Sequence, residues 1–233
     1  MAPTIISIDG NIGSGKSTIV RYFEKNFEKF CNMKTFHYKI CFLQEPVNIW
    51  ESIKDETGKN AIEKFYENNE RYSFAFQMMA YISRLSLLKE ALSKDYDIIF
   101  TERSIYTDRN IFAKMLYNSK KMDSIEYQIY LKWFDEFINI IENMKTVYIR
   151  TTPEICSGRI KKRDRPGENI PIEYLKNCHA YHEDWLNNME NIELGNILII
   201  DGNIETSIET SKEKYTDNKH YNNIMEKVFN FMK

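Results

Sequence analysis

Five short runs of β-branched and aromatic residues recur along the chain, each bounded by polar or turn-forming residues. They span residues 4–8, 39–44, 97–101, 145–150 and 196–201. Because the runs are nearly continuous rather than alternating, they predict strands that are buried on both faces, as in a parallel sheet. Helical periodicity covers residues 16–30, 59–69, 71–93, 105–118, 123–143, 153–163, 171–190 and 219–232. The alternation predicts an α/β fold with three layers, in which helices flank a five-stranded parallel sheet.

Composition fits one domain across residues 1–233, with 42% hydrophobic and 28% charged residues. The 32 basic and 34 acidic residues give a net charge of -2, which argues against nucleic acid or a membrane surface as the partner. Four scattered cysteines without a CxxC pair indicate reduced thiols. The first strand leaves no room for a leader, and no run approaches the ~18 apolar residues of a membrane span. We therefore expect a cytoplasmic protein.

A glycine-rich stretch, IDGNIGSGKST, follows the first predicted strand and opens the first predicted helix. It matches GxxxxGK[ST], a loop whose backbone N–H groups converge on phosphate oxygens. Lys16 would reach the terminal phosphates, and the Ser17 hydroxyl would bind Mg²⁺. The predicted phosphate-binding residues are Gly10, Asn11, Ile12, Gly13, Ser14, Gly15, Lys16, Ser17 and Thr18. The alternative is a glycine-rich turn that carries a lysine by chance.

Carboxylates follow the second and third predicted strands, Glu45 in EPVNIW and Glu102 in ERS. The carboxyl ends of parallel strands share one edge of the sheet, where ligands collect. One carboxylate can take the proton of an attacking hydroxyl and the other can hold a metal, while Arg103 and Mg²⁺ neutralise the transferred phosphoryl group. Either glutamate taken alone is more typical of a solvated loop.

The helical stretch RYSFAFQMMAYISRLSLL places a polar pair in an apolar helix. Phe76, Gln77, Ala80 and Arg84 fall within a stripe of about 100° at 3.6 residues per turn. The remaining positions are mostly apolar, so we expect the helix to be buried, and a buried amide and guanidinium need partners. A flat heterocycle stacked on Phe76 would supply them. The alternative is an internal salt bridge to Asp108, and both arrangements can hold together.

A basic stretch, SGRIKKRDRPGE, follows the fourth predicted strand. Arg159 and Arg163 lie four residues apart on one helical face, and Arg165 precedes the Pro–Gly pair that ends the helix. Arginines placed in this way can close over phosphates and exclude water. We therefore expect a lid at about residues 159–169, and the alternative is a solvated basic face.

Taken together, GNIGSGKST, EPVNIW, RYSFAFQ, TERSIYTDRNIFA, RIKKRDRPGE and IPIEYL resemble the deoxyribonucleoside kinases, the group that includes deoxycytidine, deoxyguanosine and insect-type multisubstrate kinases. The resemblance extends in order and spacing from about residue 5 to residue 200. It implies a P-loop kinase fold that transfers the γ-phosphate of ATP or another nucleoside triphosphate to the 5'-hydroxyl of a deoxyribonucleoside, with Mg²⁺. Members are usually homodimers through helices equivalent to those near 71–93 and 123–143.

The resemblance also implies residue roles at matching positions. Glu45 would be the base, Arg103 would bind the acceptor oxygen and the phosphate, and Glu102 would join Ser17 at the metal. Tyr66 and Glu168 would bind the 3'-hydroxyl. The implied nucleoside-binding residues are Trp50, Phe65, Tyr66, Phe76, Gln77, Ala80, Arg84, Arg103, Asp108, Phe112 and Glu168. Phe65 departs from the family pattern, in which a smaller or more flexible side chain is expected.

The base preference is expected from Ala80, Arg84 and Asp108, since the polar pair resembles that of deoxycytidine and deoxypurine kinases and would crowd a thymine methyl group. We therefore favour deoxycytidine, with deoxyadenosine and deoxyguanosine as further substrates. A thymidine-accepting multisubstrate kinase is an alternative.

Other classes of P-loop protein fit the sequence less well. A thymidylate-type nucleoside monophosphate kinase shares the phosphate loop, but its charged acceptor needs basic residues where this chain has Glu45. A GTPase would carry NKxD after a strand, and the chain has none. A motor ATPase would carry an acidic pair after a hydrophobic strand, whereas DIIFTERS offers only Glu102.

Overall fold

The computed structural model describes residues 2–138, 141, 144–165, 168–186, 196–204 and 218–233. Its sheet contains β1 (Thr4–Asp9), β2 (Ile40–Leu43), β3 (Ile98–Glu102), β4 (Met144–Arg150) and β5 (Ile197–Asp201). All pairings are parallel, in the order β2-β3-β1-β4-β5. The predicted α/β fold with a five-stranded parallel sheet is therefore confirmed. Each strand begins and ends within one residue of its predicted bounds, because β-branched runs mark buried strands sharply.

The helices are, in chain order, α1 (Lys16–Met33), α2 (Val47–Ser52), α3 (Ala61–Glu67), α4 (Asn69–Leu92), α5 (Ile105–Thr107), α6 (Lys114–Asn118), α7 (Ser124–Phe137), α8 (Pro153–Arg163), α9 (Ile172–Leu186) and α10 (Lys219–Met232). A π-helical segment, Asp108–Ala113, joins α5 to α6. Three features differ from the sequence prediction. The short helix α2 was not predicted, the helix predicted over 105–118 is interrupted by the π-helical segment, and the helix predicted over 123–143 ends as α7 at Phe137. Residues 187–190 of the helix predicted over 171–190 lie outside the described residues.

The core forms on both faces of the sheet, which gives the three expected layers. Ile6 and Ile8 of β1 point to one face, where they join a cluster with Phe23 of α1 and Val228 of α10. Ile5 points to the opposite face. There it packs in a cluster with Leu88 and Ala91 of α4 and Ile99 of β3. Helices therefore pack on both faces of the central strand β1 and hold the loop that follows it in place.

The glycine loop after β1 turns sharply because all three of its glycines have positive φ, and two of them also lie against backbone atoms of neighbouring elements. Gly10 has a φ of 146°, and a Cβ there would lie 2.6 Å from the carbonyl oxygen of Ile149. Gly13 has a φ of 79°, and a Cβ there would lie 2.6 Å from the carbonyl oxygen of Cys156. Both positions therefore require glycine, because the loop passes directly against β4 and α8.

The carboxyl ends of β1, β2 and β3 bring the glycine loop, Glu45 and Glu102 to one edge of the sheet, as parallel pairing requires. Gln77, Ala80 and Arg84 of α4 are buried, and Arg84 bonds Glu45 at this edge. None of the described helices combines the length and apolar character that a membrane crossing needs.

Candidate active site

A cleft of about 1330 Å³ runs along this edge of the sheet. Pockets for a single small molecule usually measure about 300–1000 Å³, so the cleft is larger than one small ligand needs. The predicted site residues that line it are Ile12, Gly13, Ser14, Gly15, Lys16, Ser17, Thr18, Glu45, Trp50, Phe65, Tyr66, Phe76, Gln77, Ala80, Arg84, Glu102, Arg103, Asp108, Phe112, Arg159, Arg163, Arg165 and Glu168.

Gly10 and Asn11 belong to the predicted phosphate loop but do not line the cleft. Asn11 is buried, and its Nδ2 donates to the carbonyl oxygen of Leu175 at 2.8 Å. The Asn11 carbonyl oxygen accepts from Lys16 Nζ at 2.7 Å. Asn11 therefore ties the loop to α9 and holds the lysine, rather than facing a phosphate with its side chain.

The loop leads into α1 at Gly15, whose φ of 104° lies in the left-handed region. No side chain of the described residues caps α1 there, which leaves the N-terminus of the helix open to an anion. Lys16 is buried beside them. Burial, and secondarily Arg103, lower the pKa of Lys16 to about 8, against the raising effects of Glu102 and Glu45. A phosphate here would meet both a lysine and a helix N-terminus.

Two hard oxygen ligands meet beside the loop, because the Ser17 hydroxyl donates to a carboxylate oxygen of Glu102. Such a pair fits Mg²⁺, which usually keeps several waters and takes one or two protein oxygens plus phosphate oxygens. Within the described ranges, no group of three or more His, Cys, Asp or Glu side chains is placed to hold a metal ion.

Glu45 lies between two arginines. Its Oε1 accepts from Arg84 Nη2 and lies 3.5 Å from Arg103 Nε. Burial alone would raise the pKa of Glu45, but the charges of Arg84, Arg103 and Lys16 outweigh burial and lower the pKa to about 2. Glu45 is therefore ionised at neutral pH and acts only as a hydrogen-bond acceptor.

Arg84 also reaches Asp108, with 2.6 Å between Nη1 and Oδ1. The same guanidinium lies over the Trp50 ring, 5.0 Å from its centroid. Burial raises the pKa of Asp108 to about 6 against the opposing charges of Arg84 and Arg103. Arg84 Nε and Asp108 Oδ2 have no partner within the described part of the chain. The internal salt bridge is present, and it leaves polar atoms unpaired at the cleft.

Four aromatic rings line the cleft near Arg84 and Arg103. Phe76 stacks on Phe65 with ring centroids 4.6 Å apart, and Trp50 meets Phe76 edge-on at 5.6 Å. Phe112 lies under the guanidinium of Arg103, 4.6 Å from its ring centroid. Phe65 is buried and supports Phe76, so its large ring completes the wall.

The three lid arginines line the cleft, and two of them are held by protein partners. Arg159 Nη1 donates to the carbonyl oxygen of Ser14 at 3.0 Å. Arg163 Nη2 donates to Glu168 Oε2 at 2.5 Å. The pKa of the Tyr66 phenol is raised, mainly by burial and secondly by the negative charge of Glu168. Residues 166–167 of the predicted lid lie outside the described residues.

Several cleft residues were missed by sequence reasoning. Tyr174 of α9 lines the cleft, within the IPIEYL stretch that carried no predicted role. Asp201, Gly202 and His220 also line the cleft, and Arg159 Nη2 donates to the carbonyl oxygen of Gly202 at 2.9 Å. Asp201 ends β5 and Gly202 follows it, so the rule that ligands collect at the carboxyl ends of strands gave a usable signal for both. The bond from Arg84 to Glu45 had no signal, since the two residues lie 39 positions apart.

Comparison with protein families and with curated proteins finds kinases that act on nucleosides. The profile of the deoxynucleoside kinase family matches residues 6–233. The chain is 35% identical over 245 residues to deoxycytidine kinase of Homo sapiens, covering 97% of this chain and 90% of that protein. It is 34% identical over 236 residues to deoxycytidine kinase 2 of Gallus gallus, covering 90% and 86%. It is 33% identical over 189 residues to mitochondrial thymidine kinase 2 of Macaca fascicularis, covering 78% and 64%. The chain belongs to the deoxynucleoside kinase family, and it is an ATP-dependent kinase of deoxynucleosides.

Proposed function

We propose that this kinase phosphorylates the 5'-hydroxyl of deoxycytidine by preference and accepts deoxyadenosine and deoxyguanosine. The observation that carries the proposal is the position of Arg84, which contacts both Asp108 and Glu45. The Arg84 guanidinium therefore connects Asp108, at the proposed base end of the cleft, to Glu45, which lies beside the phosphate loop. A nucleoside whose base formed hydrogen bonds with Arg84 and Asp108 would lie with its sugar towards Glu45.

Glu45 is proposed to receive the 5'-hydroxyl as a hydrogen-bond acceptor and to take its proton late in the transfer. A pKa near 2 makes the carboxylate a weak base before reaction. In a loose transition state the nucleophile loses its proton only as the new bond to phosphorus forms, so a weak but well-placed base suffices. Arg103, 3.5 Å from Glu45, would stabilise the charge on the transferred group.

The base is proposed to lie between Phe76 and Phe112, with its polar edge towards Gln77, Arg84 and Asp108. The unpaired Arg84 Nε and Asp108 Oδ2 support this position, because buried polar groups rarely lack partners. An exocyclic amino group can donate to a carboxylate, whereas the carbonyl of thymine at the same position cannot. Amino-bearing bases are therefore favoured.

The sugar is proposed to be read at its 3'-hydroxyl by Tyr66 and Glu168. Both side chains line the cleft, and the Glu168 side chain is only 6% exposed. In the structure its carboxylate pairs with Arg163, so a bound sugar would share or replace that contact.

ATP is proposed to lie at the other end of the cleft, with its phosphates on the glycine loop, Lys16 and the lid arginines. Ser17 and Glu102 would hold Mg²⁺, which supplies positive charge to the transferred phosphoryl group. Lys16 with its lowered pKa remains mostly charged near neutral pH, so it contributes to the same neutralisation.

A homodimer is proposed through α4 and α7. Ile82 of α4 is 47% exposed, and Ile125, Ile129 and Trp133 of α7 are 70%, 40% and 47% exposed. Apolar side chains of this size on two neighbouring helices are typical of a covered surface.

A cytoplasmic location is also proposed. The four free cysteines, three of them buried, support a reducing compartment.

The proposal is tested with a panel of deoxycytidine, deoxyadenosine, deoxyguanosine, thymidine and their 5'-monophosphates, using radiolabelled ATP. We expect kcat/KM to be highest for deoxycytidine, lowest for thymidine among the nucleosides, and negligible for the monophosphates. A thymidine value equal to that for deoxycytidine would favour the multisubstrate alternative, for which the relative named thymidine kinase 2 is an argument.

A further inference from the structure

Arg103 has a backbone conformation that is unusual for its residue type. It follows β3 directly, and its φ of 68° lies in the left-handed region. A side chain with a Cβ adopts this region only at a conformational cost, so surrounding contacts must hold it there. Such held residues cluster at functional sites.

The contacts of Arg103 itself explain where its side chain lies. Its backbone N–H donates to the carbonyl oxygen of Ile8 at 3.0 Å, which continues the pairing of β3 with β1. Its Nη1 donates to the carbonyl oxygen of Gly10 at 3.1 Å, and its guanidinium covers Phe112. None of these bonds fixes the turn that follows Arg103.

That turn is held by Asp9, the last residue of β1. Asp9 is completely buried and lies outside the phosphate-loop motif. Its Oδ1 accepts from the backbone N–H of Ser104 at 3.2 Å and from the hydroxyl of Thr107. Its Oδ2 accepts from the hydroxyl of Ser7. One carboxylate therefore joins the strand that carries the phosphate loop to the turn that follows the catalytic arginine.

The hydroxyls around Asp9 form a closed network. The single hydroxyl hydrogen of Thr107 goes to Asp9, so the Ser104 hydroxyl donates to Thr107 Oγ1 at 3.0 Å. Ser104 Oγ in turn accepts from the backbone N–H of Thr107 at 3.1 Å and caps α5. Networks that satisfy every buried group are rigid, because any single loss leaves an unpaired polar atom.

We propose that Asp9 is a positioning residue for Arg103. By binding the 104–107 turn, it holds Arg103 in its left-handed conformation, with the guanidinium between the glycine loop and Glu45. The inference rests on the proposed function, in which Arg103 stabilises the transferred phosphoryl group.

The test compares Asp9→Ala with Asp9→Asn. Asp9→Ala is expected to lower kcat by about 10-fold or more while the KM for ATP stays within about 2-fold, as expected for an interaction made mainly in the transition state. Asp9→Asn is expected to retain most of the activity, because its Oδ1 can still accept from Ser104 and Thr107. Equal activity of all three proteins would overturn the proposal, and so would equal losses in both variants.

A double variant separates positioning from general stability. If Asp9 acts through Arg103, adding Asp9→Ala to Arg103→Ala lowers kcat no further, whereas independent roles multiply the two losses. Thr107→Val is the second probe if Asp9→Ala fails to fold, and it should lower kcat in the same direction. Val228→Ala, in the core between α10 and the sheet, is the control that lowers Tm with kcat unchanged.

The same series distinguishes the two proposals. Unchanged kcat in Arg103→Ala would overturn the role of Arg103 in the proposed function. A large loss in Arg103→Ala together with normal activity of Asp9→Ala and Thr107→Val would overturn the Asp9 inference alone.

Discussion

Nη1 of Arg84 lies 2.6 Å from Oδ1 of Asp108. The other terminal nitrogen of the same guanidinium bonds Glu45, so three charged groups from separate elements share one buried site. Removing one partner of such a pair leaves an uncompensated charge, whereas removing both does not. This difference gives the first prediction.

Replacing Arg84 by Leu and Asp108 by Ala together is expected to shift preference towards thymidine. One or two lost base contacts at about 1.4 kcal/mol each would change the thymidine-to-deoxycytidine ratio of kcat/KM by about 10- to 100-fold. The ratio is the measurement, since loss of the Arg84 contact to Glu45 lowers turnover for every nucleoside. The control is Arg84→Leu alone, which should have a lower Tm than the double variant because it leaves the buried carboxyl group of Asp108 without its salt-bridge partner. An unchanged ratio would rule out this account of base selection.

The pH dependence of base selection should differ from that of catalysis. The pKa of Asp108 is raised to about 6 by burial, so its charge is present above pH 6 and is lost as the pH falls through 6. The pKa of Glu45 is lowered to about 2, so its charge persists to much lower pH. We expect kcat/KM for deoxycytidine to fall below pH 6 while kcat changes less. Asp108→Asn should lack this fall, and it controls for the titration of ATP itself. Parallel profiles for the two proteins would contradict the prediction.

The lowered pKa of Glu45 also predicts acid sensitivity of the fold. A carboxyl group whose folded pKa lies below its ordinary value of 4.5 stabilises the folded state above that value. This contribution is lost as the pH falls from about 4.5 towards 2. Denaturant titrations across this range should show a smaller loss of stability for Glu45→Gln than for the unaltered protein, because the variant has no carboxyl group to protonate there.

Glu45→Gln should also slow the chemical step. A glutamine keeps the size of the side chain but accepts a proton poorly, so kcat is expected to fall by about 100-fold or more with nucleoside affinity nearly retained. Single-turnover transfer from radiolabelled ATP measures the step directly. Glu51→Gln, an exposed position on α2 that does not line the cleft, is the matched control. Turnover unchanged in Glu45→Gln would remove Glu45 from the chemistry.

The 3'-hydroxyl contact can be tested with an analogue. Glu168→Gln is expected to raise the KM for deoxycytidine by about 10- to 100-fold, the cost of losing a hydrogen bond to a charged group, and Tyr66→Phe by about 2- to 10-fold, because its phenol is neutral. With 2',3'-dideoxycytidine the unaltered enzyme and both variants should have similar KM values, since the contact is missing in each. A KM increase of the same size on both nucleosides would indicate that the variants disturb the lid rather than the sugar contact.

The sheet and the phosphate loop could be predicted from sequence because their signals are local. The run from Thr4 to Asp9 is apolar enough to predict a buried strand without knowledge of its neighbours. The glycines after it are required because a Cβ at Gly10 or Gly13 would clash with backbone oxygens. Helices α8 and α10 were predicted with their observed bounds, since a proline begins α8 and an apolar face recurs along α10. The stripe from Phe76 to Arg84 follows from helical geometry alone.

Tertiary structure decided which polar groups meet. Arg84 meets Glu45 across 39 residues, and Asp9 meets Thr107 across 98 residues. No periodicity encodes such pairs, because each depends on how two elements pack against the same strand. The interruption of the helix over 105–118 has the same origin: its first turn is fixed by bonds to Asp9, while its later residues pack against α4 and α9. Sequence thus determined the elements and the side chains available at their ends. Packing determined which of those side chains form ion pairs and hydrogen bonds, because such contacts act over a few ångströms in space rather than along the chain.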